Sequence, residues 1–216
     1  MIQHFTKNIL NILAIIFVVT FPHFVPLPFY SYAIICLGVV ILILRKDHKT
    51  LRDIGLKQKG ISIKTIFVGT VSALVWVAFM RWIYLPVIQY FFIVPEYTEY
   101  NFIQNHLSNF IITTIAAWFI GGFYEEIIFR GFIQKTIENW FNNKHSFLYA
   151  GLITSIVFGL YHWQQGYLGI ISATFGGLFW TYIFKRFGRN LWVTIFSHAI
   201  FDTITLTLIY LGLFGK

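Results

Sequence analysis

The sequence predicts an all-α protein, a polytopic membrane helix bundle of about seven transmembrane helices. Three observations predict it. Apolar residues make up 57% of the 216 residues and charged residues 11%, against about 25% charge in soluble domains. The mean hydropathy is +0.71, which points to lipid as the solvent. Seven apolar runs, most of them near the ~20 residues that cross a bilayer, alternate with short polar segments. The composition excludes disorder, collagen-like repeats and a disulfide scaffold. The single Cys36 can form no internal bridge and sits in an apolar run.

The runs cover residues 9–24, 29–44, 65–85, 110–134, 147–163, 167–184 and 191–214. The first two are short, and Pro22, Pro26 and Pro28 between them mark a tight turn; a re-entrant pair is the alternative to two crossings. Lys7 followed by an apolar stretch has the outline of a signal peptide. No small-residue cleavage pattern follows it, so the first run is expected to be a retained span. Residues 45–64 look like a connector punctuated by Gly55 and Gly60.

The net charge is +8 and the isoelectric point about 9.6. The basic residues stand between apolar runs, so they report membrane orientation rather than nucleic-acid binding. With a cytoplasmic N-terminus and seven crossings, fourteen of the sixteen Lys and Arg residues lie inside, and only Arg81 and Lys216 lie outside. The outer loop 86–109 holds Glu96 and Glu99 and no Lys or Arg.

A few ionisable residues fall within the runs, where each costs at least ~2.5–3.5 kcal/mol to insert and by default marks a functional interior. In the fourth run Glu126 and Arg130 are four apart, so they share a helical face and can pair. Glu125 points about 100° away from that face, which suits a carboxylate for proton transfer. The alternative is a helix end with three solvated charges. In the fifth run Phe158 and His162 are again four apart. In the seventh, His198 and Asp202 have the same spacing, so Asp202 can set the tautomer of His198; the alternative is a packing contact between helices. Asn142, Asn143 and Lys144 form a turn-like link between the fourth and fifth runs. Glu125 and His162 are equally distant from its midpoint, so an antiparallel helix pair places them at one depth. His162 lies near the apparent end of its run, so either the following turn stays below the outer surface or the fourth helix is shifted. Ser155 and Ser197 lie near these positions, but membrane serines more often bond their own helix backbone.

Together the patterns Glu-Glu-x-x-x-Arg, Phe-x-x-x-His and His-x-x-x-Asp on successive apolar runs resemble the CPBP family. That family comprises CAAX proteases and bacteriocin-processing or self-immunity proteins, also called the abortive-infection family. The matching residues are Glu125, Glu126 and Arg130; Phe158 and His162; His198 and Asp202. The resemblance implies a catalytic core of four transmembrane helices over 109–216, preceded by variable transmembrane helices and loops over 1–108. It implies an intramembrane endopeptidase of the glutamate type, in which Glu125 and His162 activate water. His198 stabilises the oxyanion with Asp202 beside it, and Glu126, Arg130 and Phe158 support the site. Peptide hydrolysis needs an activated water and an oxyanion donor, and an acid–imidazole pair with a second imidazole supplies both. The eukaryotic CAAX endopeptidases have Asn where Asp202 stands, while many bacterial members have Asp. An ionised Asp only accepts hydrogen bonds, so Asp202 either stays protonated or orients His198.

Two alternatives accompany this reading. Glu125, His162, His198 and Asp202 form an N/O set of the kind that binds Zn²⁺, although His-Glu-x-x-His spacing is absent; a metal-free site without cofactor is favoured. The second alternative is a non-enzymatic bacteriocin self-immunity membrane protein. The expected partners are membrane lipid and a membrane-associated peptide, such as a bacteriocin or pheromone precursor, and no nucleic acid. A chain rich in Ile, Phe, Asn and Lys points to the cell membrane of a low-GC bacterium.

Overall fold

A computed structural model describes residues 2–25, 27–93 and 100–214. Seven main helices follow one another along them. They are α1 (Ile2–Phe24), α2 (Tyr32–Lys46), α3 (Ile63–Phe91), α4 (Leu107–Glu138), α5 (Ser146–Tyr161), α6 (Gly166–Arg186) and α7 (Leu191–Tyr210). No strand occurs among the described residues. α3, α4, α7 and α6 with its leading turn Trp163–Gln165 are each long and apolar enough to span a membrane; α5 and the 8–24 part of α1 are shorter apolar helices. The protein is therefore an integral membrane helix bundle, as its composition predicts. Pro26, Glu96, Glu99 and Lys216, which enter the turn and charge arguments, lie outside the described residues.

Three departures from the expected runs have local causes. The outer loop was expected to begin at Pro86, yet α3 continues to Phe91. A π turn at Met80–Tyr84 precedes the proline, and such a widened turn absorbs the carbonyl that proline cannot pair. Residues Trp118–Ile133 of α4 are also π-helical, with bonds from i to i+5 rather than i+4. α7 ends at Tyr210, not residue 214, because Gly212 turns left-handed at φ 67° and its neighbour Leu213 bonds back to Leu208.

The chain divides into two compact units, Met1–Gly60 with Tyr124–Leu191 and Ile61–Phe123 with Trp192–Lys216. In the first unit, α5 and α6 pack through small residues. A Cβ on Gly177 would lie 2.9 Å from the Ser155 Cα, and one on Gly151 would lie 2.7 Å from the Thr181 Cγ2. A Cβ on Gly159 would meet the Ile170 carbonyl at 2.7 Å and the Thr174 hydroxyl closer still. Between helices solvated by lipid, this close backbone approach supplies the association that a hydrophobic drive supplies in water.

Residues 47–62 are more than a connector. Ile54 and Gly55 are buried, and the Gly55 carbonyl accepts the Leu191 amide at 3.1 Å. Asn190 donates to the Gly60 carbonyl at 2.9 Å. Gly55 sits at φ 109°, and a Cβ there would lie 2.7 Å from the Arg189 carbonyl, so only glycine fits. Arg189 in turn donates twice to Glu138, at 2.9 and 2.8 Å.

α5 has 16 residues, a rise of about 24 Å against a hydrocarbon core of ~30 Å. A helix of that length does not by itself cross the core.

In the second unit, a Cβ on Gly69 would lie 2.6 Å from the Phe196 Cβ, and one on Gly122 would lie 2.7 Å from the Ala199 Cβ. The Trp118 indole donates to Thr203 at 2.9 Å, and Phe110 stacks on Tyr210 at 5.0 Å.

Gly159→Ala is expected to destabilise the protein by about 1–3 kcal/mol in equilibrium unfolding from mixed micelles. Gly38→Ala, where a Cβ meets nothing within 4 Å, is expected to be neutral or slightly stabilising.

Candidate active site

In the first unit, α4 places Glu126 and Arg130 in the interior, 0% and 1% exposed. Arg130 Nη1 lies 3.1 Å from Glu126 Oε1, so the pairing read from the sequence survives the π-helical backbone. The guanidinium sits 4.2 Å from the Phe158 ring centroid on α5 and 5.3 Å from that of Trp180 on α6. One buried cation thus touches three helices. A desolvated guanidinium over an aromatic face gains about 2 kcal/mol, and its carboxylate removes the larger penalty of an uncompensated buried charge. The reading of three solvated charges at a helix end is excluded, since Glu125 is buried as well.

Glu125, the next residue, faces α5. Its Oε1 is 4.0 Å from His162 Nε2, as equal offsets from the hairpin predict. His162 follows the last residue of α5, and its Nδ1 is 2.8 Å from the Phe158 carbonyl. A carbonyl only accepts, so Nδ1 carries the proton and the neutral ring presents Nε2 as an acceptor. An ionised Glu125 is also an acceptor, and 4.0 Å is too long for a direct hydrogen bond. Two acceptors at this spacing are joined by a proton on one of them or by a water that donates to both. A water held that way turns its oxygen lone pairs outward.

In the second unit, α7 carries His198 and Asp202 on one face, with Nε2 to Oδ2 at 3.8 Å. His198 is buried and Asp202 half-buried. Asp202 rests against Gly121 of α4, where a Cβ would collide with its Oδ2 and lie 3.7 Å from His198 Nε2. Gly121 was not singled out in the sequence; a glycine beside another glycine in an apolar run signals close packing but not its partner. Ser155 donates to its own helix at Gly151, 2.7 Å, as expected of a membrane serine.

Sequence reasoning also missed the aromatic surroundings of the Glu125–His162 pair. Tyr32 on α2 and Tyr161 on α5 both stand close enough to Glu125 to interact with it electrostatically. The His23 ring of α1 packs edge-on against Tyr161 at 4.7 Å. Tyr161 is legible as the neighbour of His162, whereas nothing local announces Tyr32 or His23, which arrive by tertiary packing.

The zinc alternative draws its ligands from Glu125, His162 and His198, with Asp202 in the same set. Among the described residues, no three His, Cys, Asp or Glu side chains gather closely enough to hold a metal ion.

Fold and site together define a polytopic membrane protein with an acid–imidazole pair in its interior. A family model for the Type II CAAX prenyl endopeptidase, Rce1-like, matches residues 107–204. The chain is 32% identical over 172 residues to the "Putative membrane peptidase YdiL" of Bacillus subtilis (strain 168), covering 79% of this chain and 66% of that protein. The chain therefore spans about two thirds of its relative's length. No solved structure matches it. The chain belongs to the CPBP family, also called the CAAX-protease family.

Removing one partner of the buried pair, in Arg130→Met or Glu126→Leu, is expected to cost about 3–5 kcal/mol. The double variant is expected to lose clearly less than the sum of the two, read from unfolding in a double-mutant cycle.

Proposed function

We propose that this chain is an intramembrane endopeptidase of the glutamate type that cleaves a membrane-associated peptide without a metal. The observation that carries the reading is the Glu125–His162 pair, with the imidazole tautomer set by the Phe158 carbonyl. In this reading the catalytic core is residues 109–216.

A water donates one hydrogen to Glu125 and the other to His162 Nε2. As its oxygen attacks the scissile carbonyl carbon, Glu125 takes the proton and the carbonyl oxygen becomes an oxyanion. A His198 N–H stabilises that charge, and Asp202 beside it orients the ring. On collapse the C–N bond breaks, Glu125 returns the proton to the leaving amine, and the free acid and amine depart. The buried Glu126–Arg130 pair, with Phe158 and Trp180, holds Glu125 in place and does not touch substrate.

The substrate class is a peptide or protein at the membrane, with bacteriocin or pheromone precursors as candidates. The matching family model is that of CAAX prenyl endopeptidases, which makes a prenylated peptide the first comparator to assay. The segregation of basic residues supports a cytoplasmic N-terminus in a bacterial membrane.

Glu125→Gln and His162→Ala are each expected to lower kcat by about 10²–10⁴ against a fluorogenic peptide library in proteoliposomes, with insertion and thermal stability retained. Full turnover in both variants overturns the mechanism. His198→Ala is expected to cost about 10²–10³ in kcat, with KM little changed.

Dialysis against a strong chelator is expected to leave the wild-type rate unchanged. A rate that falls on chelation and returns with Zn²⁺ overturns the metal-free form.

A further inference from the structure

The first unit contains a cavity of about 140 Å³ that the peptidase chemistry does not use. Residues 52–57, the end of α4, the start of α5 and the loop after α6 enclose it. Its volume is roughly that of four or five waters, enough for a compact polyatomic anion.

Five cations line it, Arg52, Lys57, Arg130, Lys135 and Arg189, against two carboxylates. Both carboxylates already have partners, and those of Glu138 are two of the five cations. Asp53 accepts the amide and hydroxyl of Thr50 at 2.8 and 2.9 Å. Glu138 accepts Arg189 twice and Lys135 at 3.3 Å. Even with Glu126 counted against Arg130, cations remain in excess.

The inner wall adds a second, independent feature. Arg130 and Gln134 are each 1% exposed, and Arg130 Nη2 and Gln134 Nε2 have no hydrogen-bond acceptor among the described residues. Thr181 donates to Gln134 Oε1 at 3.2 Å, so the amide's other end is its donor. Buried donors of this kind are rare in folded proteins and call for an acceptor. The wall therefore offers N–H groups and positive charge, with the Phe147 and Phe184 rings beside them.

We propose that this cavity binds the phosphate head group of an anionic phospholipid. Lipid is favoured over free phosphate because the cations stand at the Lys- and Arg-rich ends of apolar helices. Basic pockets between membrane helices at that level recognise phosphate head groups. Arg52 and Lys57 form the exposed rim and supply long-range attraction. Arg130 and Gln134 form the floor. The inference is independent of the peptidase reading, and its test uses no activity measurement.

The test titrates purified protein in neutral micelles with phosphatidylglycerol, phosphatidylcholine or inorganic phosphate at constant ionic strength. Binding is read by native mass spectrometry and by the shift in Tm. Phosphatidylglycerol is expected to bind and stabilise, and phosphatidylcholine to do neither. Arg52→Gln/Lys57→Gln, which leaves the Glu138 ion pairs intact, is expected to weaken binding roughly 30-fold, about fivefold for each rim charge. Lys46→Gln/Lys59→Gln removes the same charge outside the cavity and is expected to change affinity less than threefold. Equal binding of both lipids, or equal losses in the two double variants, overturns the proposal. Inorganic phosphate that reproduces the full Tm shift and displaces phosphatidylglycerol shows an anion site and overturns the lipid assignment.

Discussion

An arginine cannot be left alone in a hydrophobic interior, and that constraint organises the first unit. Arg130 is 1% exposed, and the desolvation it suffers is answered by three neighbours on three helices. Glu126 neutralises it, while Phe158 and Trp180 present aromatic faces to it. None of these contacts tolerates much displacement. Coulombic attraction across a desolvated gap falls with distance, and a cation–π contact requires the charge within about 6 Å of the ring centroid. Satisfying Arg130 therefore sets the register of α4 against α5 and α6. Glu125 and His162 are then carried into place by residues next to them in sequence. Glu125 adjoins Glu126, and His162 stands one turn beyond Phe158, whose carbonyl its Nδ1 contacts.

The same logic explains why Glu125 and Glu126 have different neighbours. Consecutive residues on a helix point in different directions, so one arginine can neutralise only one of two adjacent carboxylates closely. The arginine meets the second glutamate at 3.1 Å, and the first meets an imidazole at 4.0 Å. A carboxylate locked in a close ion pair is a poor proton acceptor. A carboxylate facing a neutral imidazole's lone pair is a useful one. The division of labour follows from helical geometry and one cation.

Much of this was legible because it depends on local spacing. Apolar runs place all seven helices, since lipid exposure demands long uninterrupted stretches. The four-residue spacings place Glu126 with Arg130 and His198 with Asp202, and hairpin symmetry places Glu125 with His162. What was illegible depends on packing between distant segments. Nothing in residues 45–64 says that Ile54 and Gly55 are buried or that the Gly55 carbonyl holds the start of α7. The π-helical stretch of α4 leaves no mark in a hydropathy pattern, because side-chain polarity does not report which amide bonds which carbonyl. Continuation of α3 through Pro86 was hidden for the same reason: proline ends a regular helix, and only the π turn upstream lets it stay. Tyr32 and His23 come from the first two helices, where sequence offers no motif at all.

On the proposed reading, the protein is a hydrolase inside a membrane and faces a supply problem, because its second substrate is water. The length of α5 bears on it directly. A helix of 16 residues is too short for the hydrocarbon core, and the chain turns at His162 instead of continuing. The residues after the turn, Trp163, Gln164, Gln165 and Gly166, include two amides and a glycine at φ 72°. Trp163, Gln164 and Gly166 are exposed. Irregular backbone at membrane depth survives only where protein or water satisfies its polar groups. A turn rich in amides beside His162 meets that condition when water reaches it. In the proposed mechanism, the helix that carries the imidazole also shortens the path by which water arrives.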